Sequence, residues 1–245
     1  MKANLKFFSV LLLTMVVASS CRFMGNSIQP SKNLITRNYK VSDFTKIDAG
    51  AVGDIYYTQS TDGKTSVQIS GPDNYVNMFE VAIKDSTLVI NLPKNSNFGN
   101  TKNLKIAVSS PKLNAVYFKG VGNILIKDGL TTDRLVVNSK GVGNVKISSL
   151  TCQSLEVEST GVGDVELQGN AKDVVLESKG VGNIEAEELQ AENVNATSRG
   201  VGNITCHATQ SIDASVKGVG SIKYKGNPSN KTVSAKGIGS IKSIN

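Results

Sequence analysis

The sequence predicts an all-β protein built as a parallel β-solenoid, a β-helix or β-roll of about seven rungs of 18–21 residues, with a strand-rich, less regular N-terminal portion. Three observations carry this. A Gly-Val/Ile-Gly triplet begins at Gly120, Gly141, Gly161, Gly180, Gly200, Gly218 and Gly237, with spacings of 21, 20, 19, 20, 18 and 19. Apolar residues alternate with polar ones on both sides of each triplet, which is the period of a half-buried strand. Leu and Ala at helical spacing are scarce, and β-branched residues dominate.

The flanks of the triplet repeat as closely as the triplet itself. Downstream come Asn123-Ile124, Asn144-Val145, Asp164-Val165, Asn183-Ile184, Asn203-Ile204, Ser221-Ile222 and Ser240-Ile241. Four residues upstream stand Val116, Val137, Val157, Leu176, Ala196, Ala214 and Val233. In the second repeat the inward positions step 135, 137, 139, 142, 145, 147, 150, and the two steps of three that involve Val142 require a bend that glycine accommodates. Each repeat is then expected as two short strands joined by that bend and by a looser turn, as at Asp128-Gly129 and Gly226-Asn227-Pro228. Neither strand can bury an apolar face alone, so successive repeats must stack. Seven rungs at about 4.8 Å each give a rod segment of roughly 34 Å.

Residues 119–245 carry the repeat, and residues 39–118 lack it. The earlier stretch still alternates at 55–58, 66–69, 81–83, 88–92 and 104–108, and Ala51-Val52-Gly53-Asp54-Ile55 has the form of a degenerate first copy. One continuous all-β domain with longer connections at its start is expected, with a separate small sandwich as the alternative.

Residues 1–20 read as a secretory signal. Lys2 and Lys6 precede an apolar run from Phe7 to Ala18, too short to span a bilayer, and Ala18-Ser19-Ser20 leads into Cys21. A Cys after small residues looks like a lipobox, which makes Cys21 the expected site of lipidation and the membrane a partner through that lipid. Ordinary signal cleavage is the alternative, since Ala18 stands where Leu is usual. Residues 21–38 hold Gly, Asn, Ser and Pro without apolar periodicity and are expected to tether the folded part.

Composition narrows the function. A hydrophobic content of 39% with 23 Gly in 245 residues excludes disorder and collagen alike. Three Cys and one His leave little for a zinc or iron site, so no metal or cofactor is expected. Gly-x-Gly here has no third Gly at dinucleotide spacing, no Gly-Lys-Ser/Thr and no helix start. His207 has no Ser or Cys partner, so no catalytic residue is assigned. Cys152 and Cys206 occupy different columns three repeats apart, and free buried thiols are expected.

Two columns stand out. The residue before each triplet is Lys119, Lys140, Thr160, Lys179, Arg199, Lys217 or Lys236. Six of the seven are basic and should stack as an outward row able to engage an anionic glycan or other polymer, or else simply keep the rod soluble. The column Asn123, Asn144, Asp164, Asn183, Asn203 is expected as a structural ladder, because one carboxylate is too few for calcium. Between 154 and 198 ten acids stand against two lysines, whereas 199–245 holds seven bases against one acid. The acidic stretch argues against nucleic acid along the rod. An open edge on the last rung leaves room for a homo-oligomer.

Repeated Gly-x-Gly-Asn-Ile units behind a lipoprotein-like signal resemble the head GIN domain family, described as auto-transporter adhesins of Bacteroidetes envelopes. The resemblance covers about residues 44–245. It implies an exported β-solenoid and adhesion, and no translocator barrel is expected after the last repeat. The leading expectation is a non-catalytic, lipid-anchored protein of the cell envelope, associated with the outer membrane, that presents a repetitive surface to glycan or an envelope protein. The alternatives are a periplasm-facing structural or assembly scaffold and a polysaccharide-processing enzyme. Against the enzyme, no pairing of acid and base recurs in one outward column.

Overall fold

The computed structural model describes residues 27–244, so the expected signal, Cys21 and the first part of the tether lie outside the described residues. The repeat region winds as expected. Strand β8 (Ala115–Phe118) and β9 (Ile124–Ile126) begin it, followed by β10 (Leu130–Ser139), β11 (Val145–Ser159), β12 (Val165–Ser178), β13 (Ile184–Ser198) and β14 (Ile204–Val216). It ends with β15 (Ile222–Lys225), β16 (Asn230–Ala235) and β17 (Ile241–Ser243). Each segment pairs in parallel with its counterpart one repeat away, for example Val157 with Leu176 and Leu176 with Ala196. The triplets are in the same register, as parallel bridges from Val121 through Val142, Val162, Val181, Val201 and Val219 to Ile238.

The N-terminal portion continues this stack, out of sequence order. Strands β2 (Lys46–Gly50) and β3 (Asp54–Gln59) lie under β8 and β9, and Val52 bridges Val121, so Ala51-Val52-Gly53 is a true first copy. On the far side of β2 and β3 lie β6 (Thr87–Asn91) and β7 (Lys105–Ser110), also parallel to them. The earliest rung is thus sandwiched between later ones. Antiparallel strands close that end: β5 (Glu80–Lys84) on β6, β4 (Ser66–Pro72) on β7, and β1 (Leu34–Tyr39) on β4. A single helical turn, α1 (Asp73–Val76), follows β4. Phe44, Tyr75, Val76, Phe79 and Leu88 fill the space under this cap, which protects the edge of the sheet as exposed edges require.

One hydrophobic cluster runs from Phe44 to Tyr224. Its columns are those read from the alternation: Val137, Val157, Leu176, Ala196 and Ala214 on one wall, and Ile124, Val145, Val165, Ile184, Ile204 and Ile222 on the other.

Three expectations are corrected. The looser turn does not interrupt the middle repeats: β11, β12 and β13 run unbroken for 14 or 15 residues, and the bend is taken up by register shifts such as that between Ile147 and Leu150. A strand hydrogen-bonded on both sides bends at less cost through a bulge than by giving up its ladder. In the repeat region the chain leaves strand geometry at the looser turn only around Asp128-Gly129 and Gly226-Asn227-Pro228.

Val142 points outward, at 52% exposure, and Gly141 takes the inward position. A Cβ on Gly141 would lie 2.3 Å from the carbonyl oxygen of Gly120, and one on Gly143, at φ +138°, would lie 1.9 Å from that of Gly122. The coils approach too closely at this corner for any side chain but the outward one.

The tether is shorter than expected. Residues 34–38 belong to β1, paired with β4 from Leu34↔Pro72 to Tyr39↔Val67, and Ile28 bridges Phe98. Polar residues here form an outer strand of the cap, whose burial demand is too weak to leave an apolar pattern.

Candidate binding surface

The glycine corner gathers the residue columns singled out in the sequence. At its centre the outward triplet residues form a ridge: Val121, Val142, Val162, Val181, Val201 and Val219 are each 47–52% exposed, and Ile238 is 76% exposed. The ridge is flanked by glycines without side chains, so it stands clear of the backbone.

The basic column lies two residues upstream of the ridge, on the same outward side by strand alternation. The structure divides its members. Lys119 pairs with Asp48 at 3.2 Å. Lys179 sits between Glu158 at 2.7 Å and Glu177 at 2.9 Å, and Arg199 reaches Glu177 at 2.9 Å. No ion pair of Lys140, Lys217 or Lys236 occurs among the described residues. The Lys179 hydrogen bond holds the Glu158 carboxyl below the usual carboxylate range, and Glu158 in turn raises Lys179. Half of the row, Lys119, Lys179 and Arg199, is therefore engaged by carboxylates of this chain, and half is without an ion pair among the described residues.

On the other side of the ridge lies the amide column. Asn123 Oδ1 accepts the backbone N–H of Asn144 at 3.0 Å, Asn144 Oδ1 that of Asp164 at 2.8 Å, and Asp164 Oδ1 that of Asn183 at 2.7 Å. Asn183 and Asn203 continue it to Asn203 and Ser221, both at 2.9 Å. Asp54 begins the chain below Asn123, and Ser240 ends it. Each side-chain oxygen thus serves the backbone of the next coil where the strand ladder is interrupted, and is occupied by a donor.

Inside the corner runs a column that the sequence reading did not single out. Ser139, Ser159, Ser178 and Ser198 are buried at 0–6% exposure, each one residue before its member of the column Lys140, Thr160, Lys179, Arg199. Their carbonyls accept two N–H groups of the next coil: Ser159 takes those of Lys179 at 2.8 Å and Gly180 at 3.0 Å. The signal was present as a recurring Ser two residues before the triplet, a small residue where the coil narrows.

Elsewhere the chemistry is structural. Cys152 and Cys206 are free and buried, and burial pushes their thiols up to about 11 and about 12. His207 is half-buried on β14, beside Lys225 of the next coil. The acids of the middle repeats line a groove of about 450 Å³ with Glu166, Glu185, Glu187 and Glu188, where Lys146 binds Glu166 at 2.6 Å and Lys225 binds Glu188 at 3.2 Å. Among the described residues no group of His, Cys, Asp or Glu is placed to hold a metal ion, and no helix is long and apolar enough to cross a membrane.

A stacked coil with one repeated outward corner defines a solenoid repeat protein whose differentiated surface is linear. The chain belongs to the family described as "Putative auto-transporter adhesin, head GIN domain", which matches residues 43–228. A crystal structure of a putative adhesin from Bacteroides fragilis is 62% identical, covers 89% of this chain and 100% of its own, and superimposes with a TM-score of 0.88. A putative lipid binding protein from Parabacteroides distasonis, 22% identical over 90% of this chain and 100% of its own, shares the fold at a TM-score of 0.73. A putative adhesin from Parabacteroides merdae, 21% identical over the same shares, does so at 0.66. Comparison with curated proteins gives no match.

Proposed function

We propose that this protein is a non-catalytic, exported component of the cell envelope, attached through lipid on Cys21, that binds an anionic polymer or surface along its glycine corner. The observation that carries the reading is the basic column from Lys119 to Lys236, repeated at the coil spacing with Lys140, Lys217 and Lys236 outside any ion pair among the described residues. Cations at about 4.8 Å pitch along a straight edge match a ligand whose charges also repeat. Family membership and the adhesin name of the 62% identical relative support binding over catalysis.

The test is binding of isolated envelope polysaccharide to the protein with Lys140, Lys217 and Lys236 replaced by Glu. The reading expects loss of binding with the melting temperature retained; unchanged binding contradicts it, and turnover of an acidic polysaccharide would make the protein an enzyme instead.

A periplasm-facing assembly scaffold is the second reading. It is favoured by the last rung, where β16 pairs only with β14 among the described strands and Val233 is 54% exposed. Complementary acidic and basic stretches on two copies would serve such assembly.

A further inference from the structure

The basic column does not account for the ridge beside it. In each of the seven triplets the outward residue is Val or Ile, whereas the outward column three residues upstream of the triplet varies freely, holding Asn138, Glu158, Glu177 and Thr197 at equivalent places. An exposed position on a bridge asks only for β-propensity, which Thr or Tyr would meet. Ordered apolar side chains, each about half exposed over roughly 34 Å, make a contiguous patch of the kind that soluble proteins keep for an interaction.

We propose that the glycine corner docks onto a lipid bilayer bearing anionic headgroups, the aliphatic ridge entering the interface while Lys140, Lys217 and Lys236 meet the headgroups. This rests on the anionic-surface reading above and names its ligand. Shape favours a bilayer, because the patch is a row of outward side chains bridged from coil to coil and flanked by glycines that carry none. Charge favours it too: apolar and cationic rows lie side by side, as in helices that lie in the membrane interface.

The position of the chain entry agrees. Ile28 is held to the segment joining β6 and β7, its N–H donating to Asn97 O at 2.7 Å and its own carbonyl accepting the N–H of Gly99 at 2.9 Å. That segment occupies the place in its coil that Ala51-Val52-Gly53 occupies in the next. The described chain therefore starts at the capped end of the ridge. Cys21 stands six residues before Ser27, a reach of at most about 20 Å. A lipid there would hold the corner near the bilayer.

The hydrophobic cluster from Phe44 to Tyr224 lies within the described residues, so the protein beginning at Ser27 keeps it and isolates the ridge from any lipid on Cys21. Its co-sedimentation with phosphatidylcholine vesicles, with and without phosphatidylglycerol, is the measurement. Binding is expected only with phosphatidylglycerol. It should fall about tenfold when Val142, Val162 and Val181 become Thr, and about a hundredfold when Lys140, Lys217 and Lys236 become Gln.

Thr keeps the branched shape, and thermal melts verify the fold. If those variants unfold, the exposed Lys variants alone decide the outcome. Binding to soluble dextran sulfate unchanged by the Thr substitutions, without vesicle binding, would overturn the bilayer and leave the anionic-polymer reading standing. Binding to neither defeats both. A dimer in sedimentation equilibrium that the Thr substitutions dissociate would overturn the proposal in favour of a second copy.

Discussion

Asn144 Oδ1 accepts the backbone N–H of Asp164 at 2.8 Å, joining two coils at the point where the glycine triplet interrupts the strand. The backbone N–H of Asn144 donates in turn to Asn123 Oδ1 of the coil below, so the residue is held by one coil and serves the next. Replacing Asn144 with Ala leaves that N–H to water and should cost about 0.5–1.5 kcal/mol. Replacement with Asp, the residue used at position 164, retains the acceptor and should cost less. Chemical denaturation of the two variants measures the difference, and equal losses would remove the ladder from the account.

The corner separates steric necessity from free choice within two adjacent residues. A Cβ on Gly182, at φ +140°, would stand 2.1 Å from the carbonyl oxygen of Gly163. Gly182→Ala should therefore cost about 3 kcal/mol or more. Val181 is 52% exposed, and Val181→Thr should stay within about 0.5 kcal/mol. Melting temperatures of the pair test this.

Thiol reactivity reports the core. With Cys152 raised to about 11 and Cys206 to about 12 by burial, neither is a thiolate at pH 7. In the form starting at Ser27, maleimide should label neither native thiol within minutes and both after denaturation. Fast native labelling of Cys206 would show that the middle coils open.

Acid should loosen the basic column from its partners. Glu158 has its folded pKa lowered, first by the hydrogen bond from Lys179, so its contribution is present above its ordinary value of 4.5 and is lost as pH falls through the lower folded value. The groups are largely solvated, so the contribution stays below about 1 kcal/mol. Glu158→Gln should flatten the acid limb of the stability curve by lowering neutral-pH stability by that same amount, leaving stability at low pH, where Glu158 is protonated, nearly unchanged. A steeper acid limb in the variant would contradict the pairing.

The coil was legible because its period is carried by residues with no substitutes. Gly141 and Gly143 meet backbone atoms of the preceding coil, so the triplet recurs wherever the chain turns that corner. The inward columns through Val137 and Val145 likewise alternate because one wall is buried.

What stayed hidden depends on partners distant in sequence. The parallel strands on either side of β2, namely β6 and β8, are equally apolar, and nothing local in residues 46–50 states which neighbour comes next in the chain. Strand β1 is polar because it lies outside β4, and so read as tether. The stepping of apolar positions places Val142 inward; that Gly141 fills the inward place instead follows only from the closeness of Gly120.

Of the candidate surface, the basic and amide columns were legible as repeated residue types. The outward course of the aliphatic ridge and the pairing of Lys179 and Arg199 with Glu158 and Glu177 both depend on how the coils stack.

The central claim is that the glycine corner is the face that meets the envelope. The sequence contains no Trp, so a single introduced indole reports without background. Tryptophan placed by Val162→Trp on the ridge, and separately by Thr151→Trp on the exposed bend away from the triplet, should be compared as isolated cell envelopes are added. A blue shift in emission at position 162 with none at position 151 is the predicted result. An equal response at both, or a response at 151 alone, would contradict it.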